Sequence, residues 1–336
     1  MTENVAQGAP QARTHGTSEP GRIAQIVRRQ EFTLVLVVLV IGIVAVILNP
    51  IFVSANNLIE LARATVIYFI MACGATLITI GGGLDFSVGS VFTLGGISTA
   101  WGMSIGLPWP LAILIGLLSG TIAGLANALI IEKLGVPPII TTLGTFYIIS
   151  GLIVVFSGGN DIVGLDPTFE LLGQGALYGV PLVVVYAIVV GVVFWIVLEK
   201  TRFGYNVRAI GGNRGAAVAN GISATSINRR LYAIGGVLAA LAGIIYTART
   251  GSGQVSAGGS SVTLVVTSAV LIGGTSLFGG LGTITGTVIG ALLFAEIDNG
   301  LALSNISPLY LNIVIGSILI LAVAADYVRR QRLYRR

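Results

Sequence analysis

Histidine and cysteine are nearly missing from this chain, each occurring once in 336 residues. His15 alone makes no catalytic triad and no two-histidine metal site, and Cys73 alone makes no disulfide frame and no cysteine metal cluster. Cys73 lies inside an apolar run and reads as a small packing residue. Charge is scarce as well, at 9% of residues. A water-facing surface takes roughly a quarter to a third of its residues from the charged set, so a water-soluble globular fold is excluded. Lysine occurs only as Lys133 and Lys200, each directly after a glutamate, so the chain holds no glycine-rich phosphate loop ending in Lys-Ser or Lys-Thr. No catalytic residue, no metal site and no cofactor bound by this chain is expected.

What is abundant is apolar: 54% of residues are hydrophobic and 47 are glycine. Small residues let helix backbones approach closely in lipid, where hydrophobic exclusion no longer drives helices together. The glycines sit within long apolar runs rather than polar repeats, which argues against a low-complexity chain. The net charge of +5 comes from residues that flank those runs without interleaved aromatics, so it speaks for membrane orientation and against a nucleic-acid partner.

Residues 1 to 30 are rich in Gly, Pro, Ser, Thr and Gln and read as a disordered tail. Phe32 to Leu48 forms the first apolar run. A cleaved signal peptide, with Val53 and Ala55 near its cleavage site, competes with a retained helix. The long polar stretch before the run and the apolar chain after it favour the retained helix. Further spans are expected near 57–80, 84–105, 109–132, 137–157, 181–199, 231–248, 262–273, 282–298 and 308–326, each near the roughly 20 residues that cross a bilayer. The stretch 262–273 is short and glycine-flanked, and reads as a broken or half-spanning helix. The fold class is thus an all-α integral membrane protein of about ten transmembrane helices, some broken or short.

With the N-terminus placed in the cytoplasm, all but Arg63 and Arg249 of the 18 basic residues fall inside. That asymmetry places both termini in the cytoplasm. Two connections are long. Gly158 to Val180 carries Asp161, Asp166 and Glu170 and suits a short interfacial helix outside. Thr201 to Arg230 is basic and cytoplasmic, with a helix-forming stretch bounded by Gly211 and Gly221. An internal similarity links Leu77–Gly83 with Val270–Gly274, both at cytoplasmic helix ends, and chance recurrence in a glycine-rich chain competes with duplication.

Gly81-Gly82-Gly83-Leu84-Asp85-Phe86-Ser87-Val88-Gly89-Ser90 puts a carboxylate and two hydroxyls where a helix begins. An ionisable group inside a membrane is a functional candidate by default. The alternative is that Asp85 caps the helix that follows, and the two are compatible.

The same segment resembles the Gly-Ile-Asp-Leu-Ser-Val-Gly-Ser signature of the ribose-type permeases of bacterial ABC importers. Val136–Thr145 resembles that family's Pro-Phe-Ile-Val-Thr-Leu-Gly-Thr stretch. Thr201–Gly204, Ala209–Asn213, Ala216-Ala217 and Gly221-Ile222 resemble its cytoplasmic loop, and Ile272–Gly280 with Gly282-Thr283 and Gly286-Thr287 resembles its C-terminal signature. The resemblance covers about residues 31 to 328. One departure stands out: an acidic Glu-Leu-Asp-Ala-Ile-like stretch of the family is replaced by Thr263-Leu264-Val265-Val266-Thr267.

The resemblance implies a permease domain over 31–328, with a coupling loop at 201–230 and a basic cytoplasmic tail at 329–336. It implies a bacterial inner-membrane subunit that passes a monosaccharide delivered by a binding protein. A second permease chain, identical or different, would complete the pathway, and a separate ABC ATPase would hold ATP and magnesium. Asn213, Arg214, Ala216, Ala217, Asn220, Gly221 and Ile222 are expected to meet that ATPase. Asp85, Ser87, Asn127, Thr141, Thr142, Thr145 and Asn299 are candidates for the translocation path, against the alternative that they only bond neighbouring helices. A branched-chain amino-acid or nucleoside permease of the same superfamily is the alternative function. A proton-coupled transporter would need titratable residues through the membrane, which are scarce here. Glu60 with Arg63 is expected as a local ion pair, and Glu296 with Asp298 lies near an outer helix end.

Overall fold

In the computed structural model the described residues are 30–304 and, beyond them, 310, 312–317, 319–321 and 323–324. The N-terminal tail through residue 29, the basic tail 329–336 and part of the last predicted span, 308–326, lie outside the described residues.

The chain forms α1 (Gln30–Leu48), α2 (Ala55–Ile80), α3 (Val88–Ser104), α4 (Trp109–Leu134), α5 (Pro138–Ser157), α6 (Pro167–Gln174), α7 (Leu182–Lys200), α8 (Arg202–Gly212), α9 (Arg214–Ala219), α10 (Ala224–Thr250), α11 (Ser260–Ile272) and α12 (Ile284–Leu303). Of these, 7 are long and apolar enough to cross a membrane: α1, α2, α4, α5, α7, α10 and α12. The interfacial helix expected between 158 and 180 is α6, started by Asp166, whose carboxylate accepts the Thr168 N–H. The all-α expectation needs one amendment, since four two-residue strands occur. Ile162–Val163 pairs with Ser252–Gly253, and Ala176–Leu177 with Val180–Pro181.

Among the spanning helices α2 and α4 run the same way, as do α10 and α12, because the short α3 and α11 return the chain between them. Ile80, Leu134, Lys200, Arg202, Arg214 and Ala224 gather at one end, called here the basic end. Glu60, Gln174 and Arg249 gather at the opposite end.

α2 and α10 are the most buried spans, whereas α1 and α7 expose most of their apolar side chains, as helices facing lipid do. The packing of α10 depends on small residues. Ala112, Gly116, Gly120, Gly124 and Ala128 recur every fourth residue of α4, and all are buried. A Cβ on Gly124 would stand 2.1 Å from the Tyr232 carbonyl oxygen, and one on Gly236 2.1 Å from that of Gly120. These helices therefore touch backbone to backbone, the close approach that supplies van der Waals contact in lipid.

Two helices packed inside the bundle are too short to span. α3 has 17 residues and α11 has 13, roughly 25 Å and 20 Å of rise against a hydrocarbon core of about 30 Å. The predicted span 84–105 is thus corrected to a helix that begins only at Val88. Its first turns pack against α10, with the Phe92 carbonyl against Gly243. The chain reaches that point through the non-helical stretch Gly81–Ser87. On the other side, residues 251–259 run without helix alongside α3, with Gly253 against Ala100 and Gly258 against the Gly89 carbonyl. The N-termini of α3 and α11 consequently meet inside the bundle, where Gly89 N–H donates to Thr263 Oγ1 at 3.2 Å.

The internal similarity has a geometric counterpart. At the end of α2, the N–H groups of Gly81, Gly82 and Gly83 donate to the carbonyls of Leu77, Thr79 and Ile78. At the end of α11, those of Gly273, Gly274 and Thr275 donate to Ala269, Leu271 and Val270. The offsets are the same, and the middle glycine has φ of +85° in one turn and +92° in the other. A left-handed residue at this place ends a helix while satisfying its last carbonyls.

Candidate functional site

Non-helical backbone inside a membrane is tolerated only where protein satisfies its polar groups. Around Gly81–Ser87 the neighbouring helices do so. Tyr232 of α10 donates its hydroxyl to the Leu84 carbonyl at 3.0 Å. Thr142 of α5 accepts the Phe86 N–H at 3.0 Å. Asp85, half-buried, accepts the Ser87 N–H at 2.8 Å and the Ser87 hydroxyl at 2.5 Å through the same Oδ1.

From Ser87 the network continues across two helices. Asn127 of α4 donates its Nδ2 to Ser87 Oγ at 2.9 Å. Thr145 of α5 donates its hydroxyl to Asn127 Oδ1 at 2.7 Å. Asp85, Ser87, Asn127, Thr142 and Thr145 therefore come together, and together they pin the break between α2 and α3 to α4 and α5. Ser87, Asn127 and Thr142 are wholly buried.

The capping expectation for Asp85 is corrected in its detail. Ser87 holds the N-cap position of α3, and its own side chain makes no cap bond there. Asp85 binds the N–H of that cap residue rather than one from the first turn, so it orders the approach to the helix. Thr141 and Asn299 stand apart from this network. Thr141 is buried and reaches only the Val136 carbonyl, at 3.5 Å. Asn299 exchanges a reciprocal pair of 2.9 Å amide bonds with Asn57 near the opposite end.

Where the resembled family carries acids, Thr263, Val265 and Val266 are buried and Thr263 holds the N-terminus of α3. That position serves helix packing here.

At the basic end the helix expected between Gly211 and Gly221 is α9, and a second helix, α8, precedes it. α8 ends at Gly212, and Asn213 caps α9, its Oδ1 accepting the Ala216 N–H at 3.0 Å. Asn213, Arg214, Ala216, Val218 and Asn220 are exposed, Gly221 turns the chain beside them, and Ile222 is half-buried. Ala217 is corrected: it is 5% exposed and packs into the protein's own core, so it braces α9 from beneath.

Sequence reasoning missed two bracing features. Glu132, at the end of α4, keeps 5% of its side chain exposed and stands 3.7 Å from Arg214 of α9. It also accepts the Asn228 Nδ2–H of α10 at 2.9 Å. The second feature is Gly211, where a Cβ would stand 1.8 Å from the Ile80 carbonyl oxygen and 2.6 Å from Gly280 N. Gly280 N–H itself donates to that Ile80 carbonyl at 2.8 Å. Arg208 of α8 adds bonds to Glu199 and to the Gly282 carbonyl. The cytoplasmic-type loop signature held the signal for Gly211, but only the fold shows which backbone it touches.

The family profile for the branched-chain amino acid transport system permease component matches residues 57–323. The chain is similar to the ribose import permease protein of Bacillus subtilis (strain 168), at 38% identity over 289 residues, 85% of this chain and 89% of that one. It is 34% identical to the D-allose transport system permease protein of Escherichia coli (strain K12), over 82% of this chain and 84% of that one. With the galactose/methyl galactoside import permease protein of the same strain, identity is 32% over 88% of this chain and 94% of that one. No solved structure matches.

Proposed function

This chain belongs to the branched-chain amino acid transport system permease family, and on that premise we propose that it is the membrane subunit of an ATP-driven importer of a monosaccharide. It is a multi-pass membrane protein and acts by transport rather than by chemistry. The names of the ribose, allose and galactose permeases support a sugar as cargo. A sugar presents hydroxyls and no charge, which agrees with a membrane domain holding neutral Ser, Thr and Asn networks.

The proposed assembly places this subunit in a bacterial inner membrane with ten spans and both termini in the cytoplasm. The charge asymmetry supports that orientation. A second permease chain completes the pathway, a binding protein delivers the sugar from outside, and a separate ATPase binds beneath.

The observation that carries the coupling part is the brace under α9. An ATPase seated on Asn213, Arg214, Ala216, Val218 and Asn220 moves α9. Glu132 then passes that movement to α4 and α10, because one buried carboxylate meets both Arg214 and Asn228. α8 passes it to the end of α2 and to the loop that follows α11 through Gly211, where no side chain cushions the contact. Both routes lead to the break at Gly81–Ser87 and the meeting point of α3 and α11, two helices that stop short of a full span. We assign the gate to that junction.

Reconstitution of the permease with its ATPase and binding protein, followed by ATP-dependent uptake of labelled pentoses, hexoses and leucine, tests the reading. Uptake of one sugar is expected. Uptake of leucine alone would overturn the cargo, and uptake without the ATPase would overturn the driving force. A branched-chain amino acid remains the second reading because the apolar stretch Val265–Val266 replaces the acids of the sugar-type pattern.

A further inference from the structure

Glu296 of α12 is 8% exposed, and its Oε2 has no hydrogen-bond partner among the described residues. Its neighbour in sequence terms is no help, since Asp298 is bonded to the Tyr68 hydroxyl instead. An unpaired carboxylate in a membrane domain is costly to keep. Glu296 lines an open cavity of about 340 Å³ between α1 and α12, whose other walls include Val38, Gly42, Val46, Phe52 and Val53. No other charged side chain among the described residues lines this cavity. Gly42 leaves the carboxylate uncovered from the α1 side: a Cβ there would stand 3.7 Å from Glu296 Oε1.

The shape of the cavity restricts its occupant. Along α1 it runs from Val38 to the helix end near Leu48 and on to Phe52 and Val53, roughly 15 Å of apolar wall. Glu296 sits seven residues before Leu303, about 10 Å below the end of α12. The site thus joins an apolar trough open to lipid with one acid beneath the membrane boundary. Its complement is an amphiphile carrying a hydrogen-bond-donating cation above an acyl chain.

We propose that this cavity binds an aminophospholipid, with the primary ammonium donating to Glu296 and one acyl chain lying along α1. The primary amine matters because a carboxylate pairs best with a cation that also donates hydrogen bonds. A quaternary ammonium of equal charge offers no N–H.

The test uses the purified permease in nanodiscs of equal phosphatidylethanolamine and phosphatidylcholine, with the lipids that stay bound after transfer to mild detergent counted by mass spectrometry. Wild type is expected to retain phosphatidylethanolamine over phosphatidylcholine on the order of tenfold, as a hydrogen bond to a charged group implies. Glu296→Gln should bring the ratio to parity. Val46→Trp, which fills the trough without touching the acid, should remove both lipids from the site. Equal retention of the two lipids by wild type, or unchanged enrichment in Glu296→Gln, would overturn the proposal. So would cross-linking from position 46 to a polypeptide rather than to lipid.

Discussion

Arg249, at the end of α10, donates to Glu60 of α2 across the opposite end of the bundle, and Arg63 reaches the same carboxylate from within α2 at 2.7 Å. These are the two basic residues that stand apart from the cytoplasmic set in the charge count. The expected Glu60–Arg63 pair is present, and Arg249 is its unforeseen third member. Glu60 is 45% exposed, so solvent screens the cluster. A double-mutant cycle of Glu60→Ala with Arg249→Ala should give a coupling of about 0.5–1 kcal/mol in thermal unfolding, smaller at high salt. A coupling that does not respond to salt would show that the ion pair is not its source.

Orientation is tested by cysteine accessibility. With Cys73 replaced by Ala, a membrane-impermeant thiol reagent applied to intact cells should label Gly164→Cys and spare Arg214→Cys. Labelling at 214 from outside would invert the proposed topology.

Asn127 is the centre of the internal network, taking Thr145 on one side and giving to Ser87 on the other. Asn127→Ala leaves two buried hydroxyls without that partner and should cost about 2–3 kcal/mol of stability. Combined with Thr145→Val, the loss should be clearly less than additive, because the second change removes a group already stranded. Strict additivity in denaturation of the purified protein would mean that the two side chains do not share a bond.

Coupling through Glu132 separates two activities. Glu132→Ala should lower uptake by about tenfold or more while ATP hydrolysis persists, since the ATPase still binds the exposed face of α9 but its movement reaches α4 and α10 poorly. Val218→Arg, on that exposed face, should instead weaken ATPase binding and leave membrane insertion intact. Equal loss of uptake and hydrolysis in Glu132→Ala, with assembly preserved, would assign the residue to the ATPase contact itself.

Gly211 and Gly212 offer an adjacent control. A methyl group on Gly211 would overlap the Ile80 carbonyl, whereas nothing lies within 4 Å of one on Gly212. Gly212→Ala should therefore yield and transport like the parent, while Gly211→Ala separates α8 from α2 and reduces both. If the two variants behave alike in expression and uptake, the backbone contact is not what holds α8.

Much of the candidate site was legible one residue at a time and none of it as a set. Asp85, Ser87, Asn127, Thr142 and Thr145 stood out because polar groups in apolar runs are expensive and need partners. Their assembly was not legible, since Ser87 and Asn127 are separated by 40 residues and meet only because α4 packs beside the start of α3. Thr141 and Asn299 looked the same by type and joined other partners. Ala217 looked like a docking residue, yet side-chain direction on a six-residue helix depends on where the neighbouring helices lie.

The membrane class, the apolar segments and the shortness of the one at 262–273 could be read from the residues alone, because hydropathy over some twenty residues is a local property that the bilayer reads directly. So could the two glycine clusters that end α2 and α11, since a helix stop is set by the residues at the stop. The contacts across distance came only with the packed fold: that α3 begins inside the bundle, that Gly211 rests on Ile80, that Glu132 braces α9, and that Glu296 is left without a partner among the described residues. Each of these depends on which helix faces which. In lipid that choice rests on backbone fit and side-chain hydrogen bonds between segments far apart in the chain, which no local pattern of residues records.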